Sequence, residues 1–516
     1  MKLAGWRFAA IITLMAVVGA SLAFWLANGR PGATYDTAFY LSSSNHLLAG
    51  DGLITDMTAW NGSHLTEPLR RWPPGYPVLW TGAALLSGLR GLQAGLLVSA
   101  LAFGFCIVAA GVLGRRFGGP GTGIGAAALT LTSIAMWQTG SAALSDMVYT
   151  ALVAWSVVLL TAHAQDGRQW RLWVSAGLAA LATLTRWVGL AVAIAGGLWL
   201  VAEAVRRRRW VGLAEAVGYG LVVVGPNWLY QQFVPLFSGE GALLASAGVA
   251  PPLKTLISMA RVVAGDFGVT PIRSPSTLVF AGARALMIAL VLAMVVWGIA
   301  RWWRHGADSF PALMLPGAIS AAVYIAIVCY ARSVQYVPAM TTRYLVAFYP
   351  WFFASAAGAS ALLRQQAHAD KRTRTTRALA WVTIGALVCF PLWTAMPKAV
   401  AEIRAGVGLS APRWREGAGF ALVRTLKPDV VVSPTAGYVY LQTGIPSRPP
   451  GIGMDAAGIL AMAATPPLAG KRVLIVVADP DADWVRAGTD VAGLLDPTRF
   501  DVLFHSRGEL VVAPRR

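Results

Sequence analysis

Apolar runs of the roughly 20 residues needed to cross the hydrocarbon core of a bilayer recur along most of the chain, separated by short polar loops. The first occupies residues 8–27. A long polar stretch, Gly29 to Pro77, follows it. The next apolar stretch, 78–113, is interrupted at Ser87-Gly88-Leu89-Arg90-Gly91. This pattern predicts an interfacial helix at 75–88, entered through Pro73-Pro74 and Pro77, and a span at 92–113. The run 122–161 divides at Gln138-Thr139-Gly140-Ser141, and 172–205 divides at Thr185-Arg186-Trp187. Each reads as an outward and a return span joined by a tight hairpin, with one long kinked helix as the competing reading. Further spans are predicted at 211–232, 279–300, 310–329, 345–362 and 378–397, about eleven in all.

The runs are continuous and rich in Leu, Ala and Val, which favours helices over the short alternating segments of a barrel. After residue 398 the pattern changes. Short β-rich runs appear at 429–432, 472–477, 501–504 and 509–512, with Gly/Pro turns and a weakly helical 481–495 between them. The chain therefore divides into a transmembrane domain, 1–397, and a small soluble α/β domain, 398–516. The latter holds no glycine-rich loop of nucleotide-binding spacing, which gives it a capping or substrate-contacting role rather than an independent activity; no nucleotide or redox cofactor is expected.

Composition agrees with a polytopic α-helical membrane protein. Of 516 residues, 56% are hydrophobic and 13% charged, against about 25% charged in ordinary soluble domains. The formal charge of +19 would suit nucleic acid, but its distribution opposes that partner. Basic residues collect in short loops, GRRFGG (114–119), RRRR (206–209), RWWRH (301–305) and RQQAHADKRTRTTR (364–377), as cytoplasmic loops do. Residues 8–27, behind Lys2 and Arg7, resemble a signal sequence, but without a clear small-x-small cleavage site and at the head of a multi-span chain they read as a retained first helix. Lys2 and Arg7 keep the N-terminus cytoplasmic, so the Gly29–Pro77 loop and the C-terminal domain lie outside. The three cysteines, Cys106, Cys329 and Cys389, sit in or beside apolar segments and give no disulfide framework.

The polar loop concentrates the candidate chemistry. Asp36 stands just after the first span, where an ionised carboxylate suits deprotonation or orientation of an acceptor hydroxyl; capping a helix over 37–49 is the alternative. Tyr40, one turn on, shares its face. Asp146 lies at the mouth of a span. A pairing of Asp36 with Asp146, helped by Glu67, would hold a hard divalent cation such as Mg or Mn; the alternative is that each carboxylate pairs with an arginine. His46, His64 and Glu67 add ligands or acid-base groups, with ordinary interface residues as the equal alternative; Pro68 and Gly62-Ser63 oppose a regular metal-binding helix. Arg70-Arg71-Trp72-Pro73-Pro74-Gly75-Tyr76 sets two guanidiniums beside Trp72 and Tyr76 at the outer interface, fitting phosphate contact with stacking on lipid or sugar, or plain interfacial anchoring. Arg186 at an outer turn, and Arg343 beside Tyr344, each call for an anion or water.

These segments together resemble the GT-C superfamily of membrane glycosyltransferases, in particular the polyprenyl-phosphate-sugar-dependent branch of aminoarabinose transferases and protein mannosyltransferases. The resemblance rests on TYDTAFYLSSSNHLLAGDG with Asp36, RRWPPGYPVLW, GRRFGG, SAALSDMVYT with Asp146, LTRWVGL with Arg186 and TTRYLVAFYP with Arg343 and Tyr344. It implies sugar transfer from a polyprenyl phosphate to a lipid, glycan or protein acceptor at the external face of the bacterial inner membrane, by a monomer among membrane lipids. It also implies Asp36 as the leading catalytic carboxylate, supported by Asp146, with Arg186 on the donor phosphate. Where the family commonly has acidic-Lys-Pro-Pro, this chain has Arg71-Trp72-Pro73-Pro74, which leaves Arg70 or Arg71 to supply the anion contact and Glu67 the displaced carboxylate. A transporter or flippase of a lipid-linked precursor is the runner-up, and a non-catalytic envelope scaffold a third reading. The clustering of charge toward one side, rather than at the midplane, favours the enzyme.

Overall fold

The computed structural model describes residues 2–57, 65–70, 72–233, 252–266, 299–300, 303–304, 310–334, 342–369, 396–449, 455–478, 492–506 and 508–515. Among them five helices are long and apolar enough to cross a membrane: Gly5–Ala27, Leu92–Gly118, Ser145–Asp166, Trp187–Arg207 and Leu313–Ser333. Most of the predicted spans 279–300 and 378–397 lies outside the described residues. The chain folds as two compact units, one of residues 1–26, 98–141 and 145–401, the other of 27–97, 142–144 and 402–516.

The first unit is helical. It contains most of α1 (Lys2–Ala27) and α4 (Leu92–Gly118), then α5 (Pro120–Thr132), α6 (Ile134–Gly140), α7 (Ser145–Asp166), α8 (Gln169–Thr185), α9 (Leu190–Arg207) and α10 (Val211–Phe233). Later come α11 (Pro252–Asp266), α12 (Phe310–Val334) and α13 (Tyr349–Ala369). Both breaks predicted inside long apolar runs are present: α6 ends at Gly140, and α8 ends at Thr185, capped by Arg186, whose backbone is extended at φ −150° and ψ 134°. Pro120 opens α5, where a missing N–H costs nothing.

α7 is buried almost all round, as expected of a helix at the centre of a bundle. Ala154, Val157 and Val158 pack against Ala109, Leu113, Phe117, Met314 and Ala354. Ser156 of α7 and Ser175 of α8 lie 2.9 Å apart through their hydroxyls, and the Tyr219 hydroxyl of α10 approaches both, at 3.5 and 3.4 Å. Such hydroxyl contacts join helices where hydrocarbon offers no other polar partner. Leu14, Leu181, Leu198 and Leu221 instead point outward uncovered, the inversion that lipid solvent permits.

The second unit combines the first polar loop with the C-terminal segment. α2 (Tyr35–Ala49) and α3 (Gly75–Ser87) flank a two-residue antiparallel pair, β1 (Ile54–Thr55) with β2 (Glu67–Pro68). α14 (Met396–Ala405) leads into the α/β fold expected after residue 398. There β3 (Val430–Val432), β4 (Ser447–Arg448), β5 (Val473–Ala478), β6 (Phe500–His505) and β7 (Glu509–Pro514) form a sheet of order β4-β3-β5-β7-β6. β3 runs parallel to β4 and β5, while β7 runs antiparallel to β5 and β6. β3 and β5 are buried on both faces, which is why they read as unbroken valine-rich runs. α15 (Ala418–Leu426) and α16 (Ala436–Thr443) cover one face and α17 (Ala456–Ala464) the other. Of the weakly helical 481–495, residues 481–491 are outside the described set, and Gly493–Leu495 form one 3-10 turn.

Candidate active site

In the first unit, Asp146 lies in the first turn of α7 and is 2% exposed. Its Oδ1 accepts from Nη1 of Arg186 at 2.7 Å, and its Oδ2 lies 3.5 Å from Nε of Arg343. Of the two readings open at Asp146, partnership with arginine is the one the geometry displays, with two guanidiniums sharing one carboxylate. Arg186 also reaches Ser145 Oγ at 3.4 Å. The Arg343 guanidinium lies 5.8 Å from the centre of the Tyr344 ring. Tyr149 and Tyr324, both buried, stand within electrostatic reach of Asp146 and Arg186.

Local backbone chemistry aims Arg186. The 3-10 turn Trp187–Gly189 returns the chain, with Gly189 N–H donating to Arg186 O at 2.8 Å. A Cβ on Gly189 would sit 2.6 Å from the Thr183 Cα and N, so only glycine permits this approach to α8.

In the second unit, α2 carries Asp36. Thr34, not Asp36, is its N-cap residue, and the Thr34 N–H donates to Thr37 Oγ1 at 2.9 Å. The capping alternative is thereby removed: Asp36 is a half-exposed residue of the first turn. Tyr40 follows one turn later as expected, but it is buried, with its ring 5.0 Å from that of Tyr76. Tyr76 is also buried; its hydroxyl donates to Gly95 O at 3.0 Å and its ring meets Trp80 edge to face. Trp72 packs edge-on against Phe39 at 5.4 Å, beside Met57, Leu69 and Tyr440. These aromatics are the packing that holds α2.

Glu67 lies in β2, paired with Thr55, and is half-buried. Arg448 in β4 is 2% exposed and within electrostatic reach of Glu67. Burial pushes the Arg448 pKa down, and the Glu67 charge offsets part of that. Arg70 is partly buried, and its Nε makes no hydrogen bond within the described residues. His64 and Arg71 lie outside the described residues.

Sequence reasoning missed Asp51, Asp56, Tyr440 and Arg448. His46 sits between Asp51 Oδ2, 2.9 Å from Nδ1, and Asp56 Oδ1, 3.0 Å from Nε2. Both ring nitrogens donate only in the imidazolium. Burial works against that charge, yet the two hydrogen bonds and carboxylates outweigh it and raise the His46 pKa. Asp56 Oδ2 also accepts from the Ser42 hydroxyl at 3.0 Å and the Tyr440 hydroxyl at 3.1 Å. Burial and the Asp56 charge both push the Tyr440 pKa up. The regular spacing of His46, Asp51 and Asp56 was the available signal; Tyr440 has none, being 384 residues from Asp56.

Among the described residues no group of three or more His, Cys, Asp or Glu is placed to hold a metal ion. Both oxygens of Asp146 already face guanidiniums, a poor donor set for a dication.

No protein-family model matches the sequence, and no curated protein does. Solved structures do. The chain is similar to ArnT from Cupriavidus metallidurans in the apo state, at 16% identity and a TM-score of 0.58, covering 99% of this chain and 98% of that one. ArnT bound to undecaprenyl phosphate gives 16% identity and 0.56 over the same shares. The Archaeoglobus fulgidus oligosaccharyltransferase tethered to an acceptor peptide gives 13% identity and 0.57, covering 99% of this chain and 74% of that one. The chain therefore shares the fold of these solved structures, a polytopic and mostly helical membrane architecture.

Proposed function

We propose that this GT-C-fold chain transfers a sugar from a polyprenyl phosphate carrier to a lipid, glycan or protein acceptor of the cell envelope. The carrying observation is the charge balance around Asp146. One buried carboxylate between two guanidiniums leaves a net positive charge, and Arg186 and Arg343 are more exposed than the aspartate behind them, at 16% and 21% against 2%. An accessible pair of guanidiniums held from behind is suited to a phosphate. ArnT, similar over its whole length, has been seen with undecaprenyl phosphate bound, which supports the carrier class.

In this scheme Arg186 and Arg343 take the carrier phosphate, and Asp146 orients them as counter-ion rather than acting as a base. Asp36 accepts the proton of the acceptor hydroxyl. The acceptor oxygen forms its bond to the anomeric carbon as the bond from that carbon to the phosphate oxygen breaks, and the polyprenyl phosphate departs with the electron pair. Phosphate is a competent leaving group, so alignment and cationic stabilisation supply most of the acceleration. Arg70, Arg71 and His64 are assigned to substrate binding, as is Tyr344, whose ring lies beside the Arg343 guanidinium. Tyr40, Trp72 and Tyr76 support the helix that presents Asp36.

The proposed topology has about eleven spans, a cytoplasmic N-terminus, α3 at the interface, and the C-terminal segment on the external side of the inner membrane. The chain works as a monomer. A divalent cation, Mg or Mn, would fall to Asp36 and Glu67, the carboxylates not committed to the arginine pair. Loss of transfer in EDTA, restored by either ion, would establish it; no step above runs through a metal.

The test is binding of undecaprenyl phosphate to the purified full chain. Losing a hydrogen bond to a charged group costs about 1.5–3 kcal/mol, or about 10- to 100-fold in affinity. Arg186→Gln and Arg343→Gln should each weaken binding by about that factor. Wild-type affinity in both variants would end the phosphate assignment.

A further inference from the structure

We propose that Tyr440, in the C-terminal segment, is a positioning residue for transfer: through Asp56 it fixes the rotation of α2 and so the aim of Asp36. The proposal rests on the transfer reading above. One edge of α2 carries Tyr35, Phe39, Ser42 and His46, spaced to lie in line along the helix. Every one of these is held. Asp56 accepts from Ser42 at 3.0 Å, faces His46 Nε2 at 3.0 Å, and returns its own N–H to Ser42 Oγ at 2.8 Å. The Tyr440 hydroxyl donates to the same Asp56 Oδ2 at 3.1 Å, and Ser447 N–H reaches Asp56 O at 3.3 Å. The Tyr440 ring, 3% exposed, shares a core with Ala38, Phe39, Met57 and Leu69.

The approach to α2 is pinned by the same segment. Ala33, three residues before Asp36, bridges to Gly408, with Leu409 N–H donating to Ala33 O at 2.9 Å and Ala33 N–H to Val407 O at 3.2 Å. Tyr35 packs so tightly on Gly437 of α16 that a Cβ there would lie 2.6 Å from its ring.

Side chains stand about 5–6 Å from a helix axis, so a rotation of about 10° moves a carboxylate by about 1 Å. A misplacement of that size can cost about 100-fold in rate. Nothing in the C-terminal segment is assigned a step in the chemistry, so its contribution is aim.

The experiment uses the full chain in nanodiscs with undecaprenyl phosphate carrying a labelled hexose, pentose or amino sugar, and envelope extract as acceptor. Transfer kinetics are read beside amide exchange over residues 35–46. Tyr440→Phe keeps the packing and removes the hydroxyl. It should lower kcat about tenfold with the donor KM within about twofold, and speed exchange in 35–46. Asp56→Asn should do the same, and the double variant should be no slower than the worse single one. Asp36→Asn should abolish transfer with exchange unchanged. Tyr440→Phe with wild-type kcat, or with reduced kcat and wild-type exchange, overturns the proposal. A wild type inactive with every donor overturns the transfer reading instead, an outcome distinct from an active wild type matched by Tyr440→Phe.

Discussion

Replacing Asp146 by Asn leaves Arg186 and Arg343 in place while deleting the charge between them. The amide oxygen can still accept from Arg186 Nη1, now 2.7 Å from Oδ1, but neither guanidinium keeps its counter-ion. Breaking a buried pair by removing one partner costs about 3–5 kcal/mol, because the surviving charge stays desolvated. Arg186 and Arg343 keep some solvent contact, so the lower end applies: about 3 kcal/mol, or about 100-fold in the unfolding equilibrium. The same change makes the cluster more positive, so an anion should compensate for the missing carboxylate. Unfolding of the purified protein in mixed micelles should therefore show a ligand-free Asp146→Asn variant well below wild type, with undecaprenyl phosphate restoring more stability to the variant than it adds to wild type. An unchanged ligand-free stability, or equal stabilisation of both proteins by the lipid phosphate, would refute the counter-ion reasoning.

Gly189→Ala forces a Cβ to 2.6 Å from Thr183 backbone atoms, which overpacking data price at about 1–3 kcal/mol; it should weaken undecaprenyl phosphate binding by shifting the Arg186 turn, whereas Gly197→Ala, with open space around its Cβ, should not. His46 has a folded pKa raised above the ordinary 6.5, so its imidazolium stabilises the second unit fully below that value and the contribution fades as pH rises through the raised one. Limited proteolysis of residues 27–97 between about pH 6 and pH 9 should show protection falling with pH, and His46→Gln should flatten the profile; a slope that persists in the variant would assign the titration elsewhere.

How far the sequence reveals the site depends on the range of the interaction. The breaks at Gly140 and Arg186 were readable because a glycine or a lone arginine interrupts an apolar run, and both are where helices end. The strands β3, β5, β6 and β7 were readable from β-branched runs bounded by turns. Asp36 and Tyr40 fell on one helix because four-residue spacing is a local property. The triad of Asp146, Arg186 and Arg343 was visible only as three isolated charges, since nothing local says which arginine meets which carboxylate across 40 or more residues. Arg448 was invisible for another reason: a buried arginine in a two-residue strand contradicts the apolar pattern by which strands are recognised. The gathering of 27–97 with 402–516 into one unit depends on contacts such as Asp56 with Tyr440, beyond any periodicity.

The central claim, that this chain moves a sugar from a polyprenyl phosphate with Asp36 taking the acceptor proton, is tested most directly by comparing wild type and Asp36→Asn. Both would be purified as full chains and given labelled undecaprenyl phosphate sugars with envelope extract. The account predicts label in the acceptor fraction with wild type, and loss of transfer with undecaprenyl phosphate binding retained in Asp36→Asn. Transfer at the wild-type rate by Asp36→Asn would contradict it.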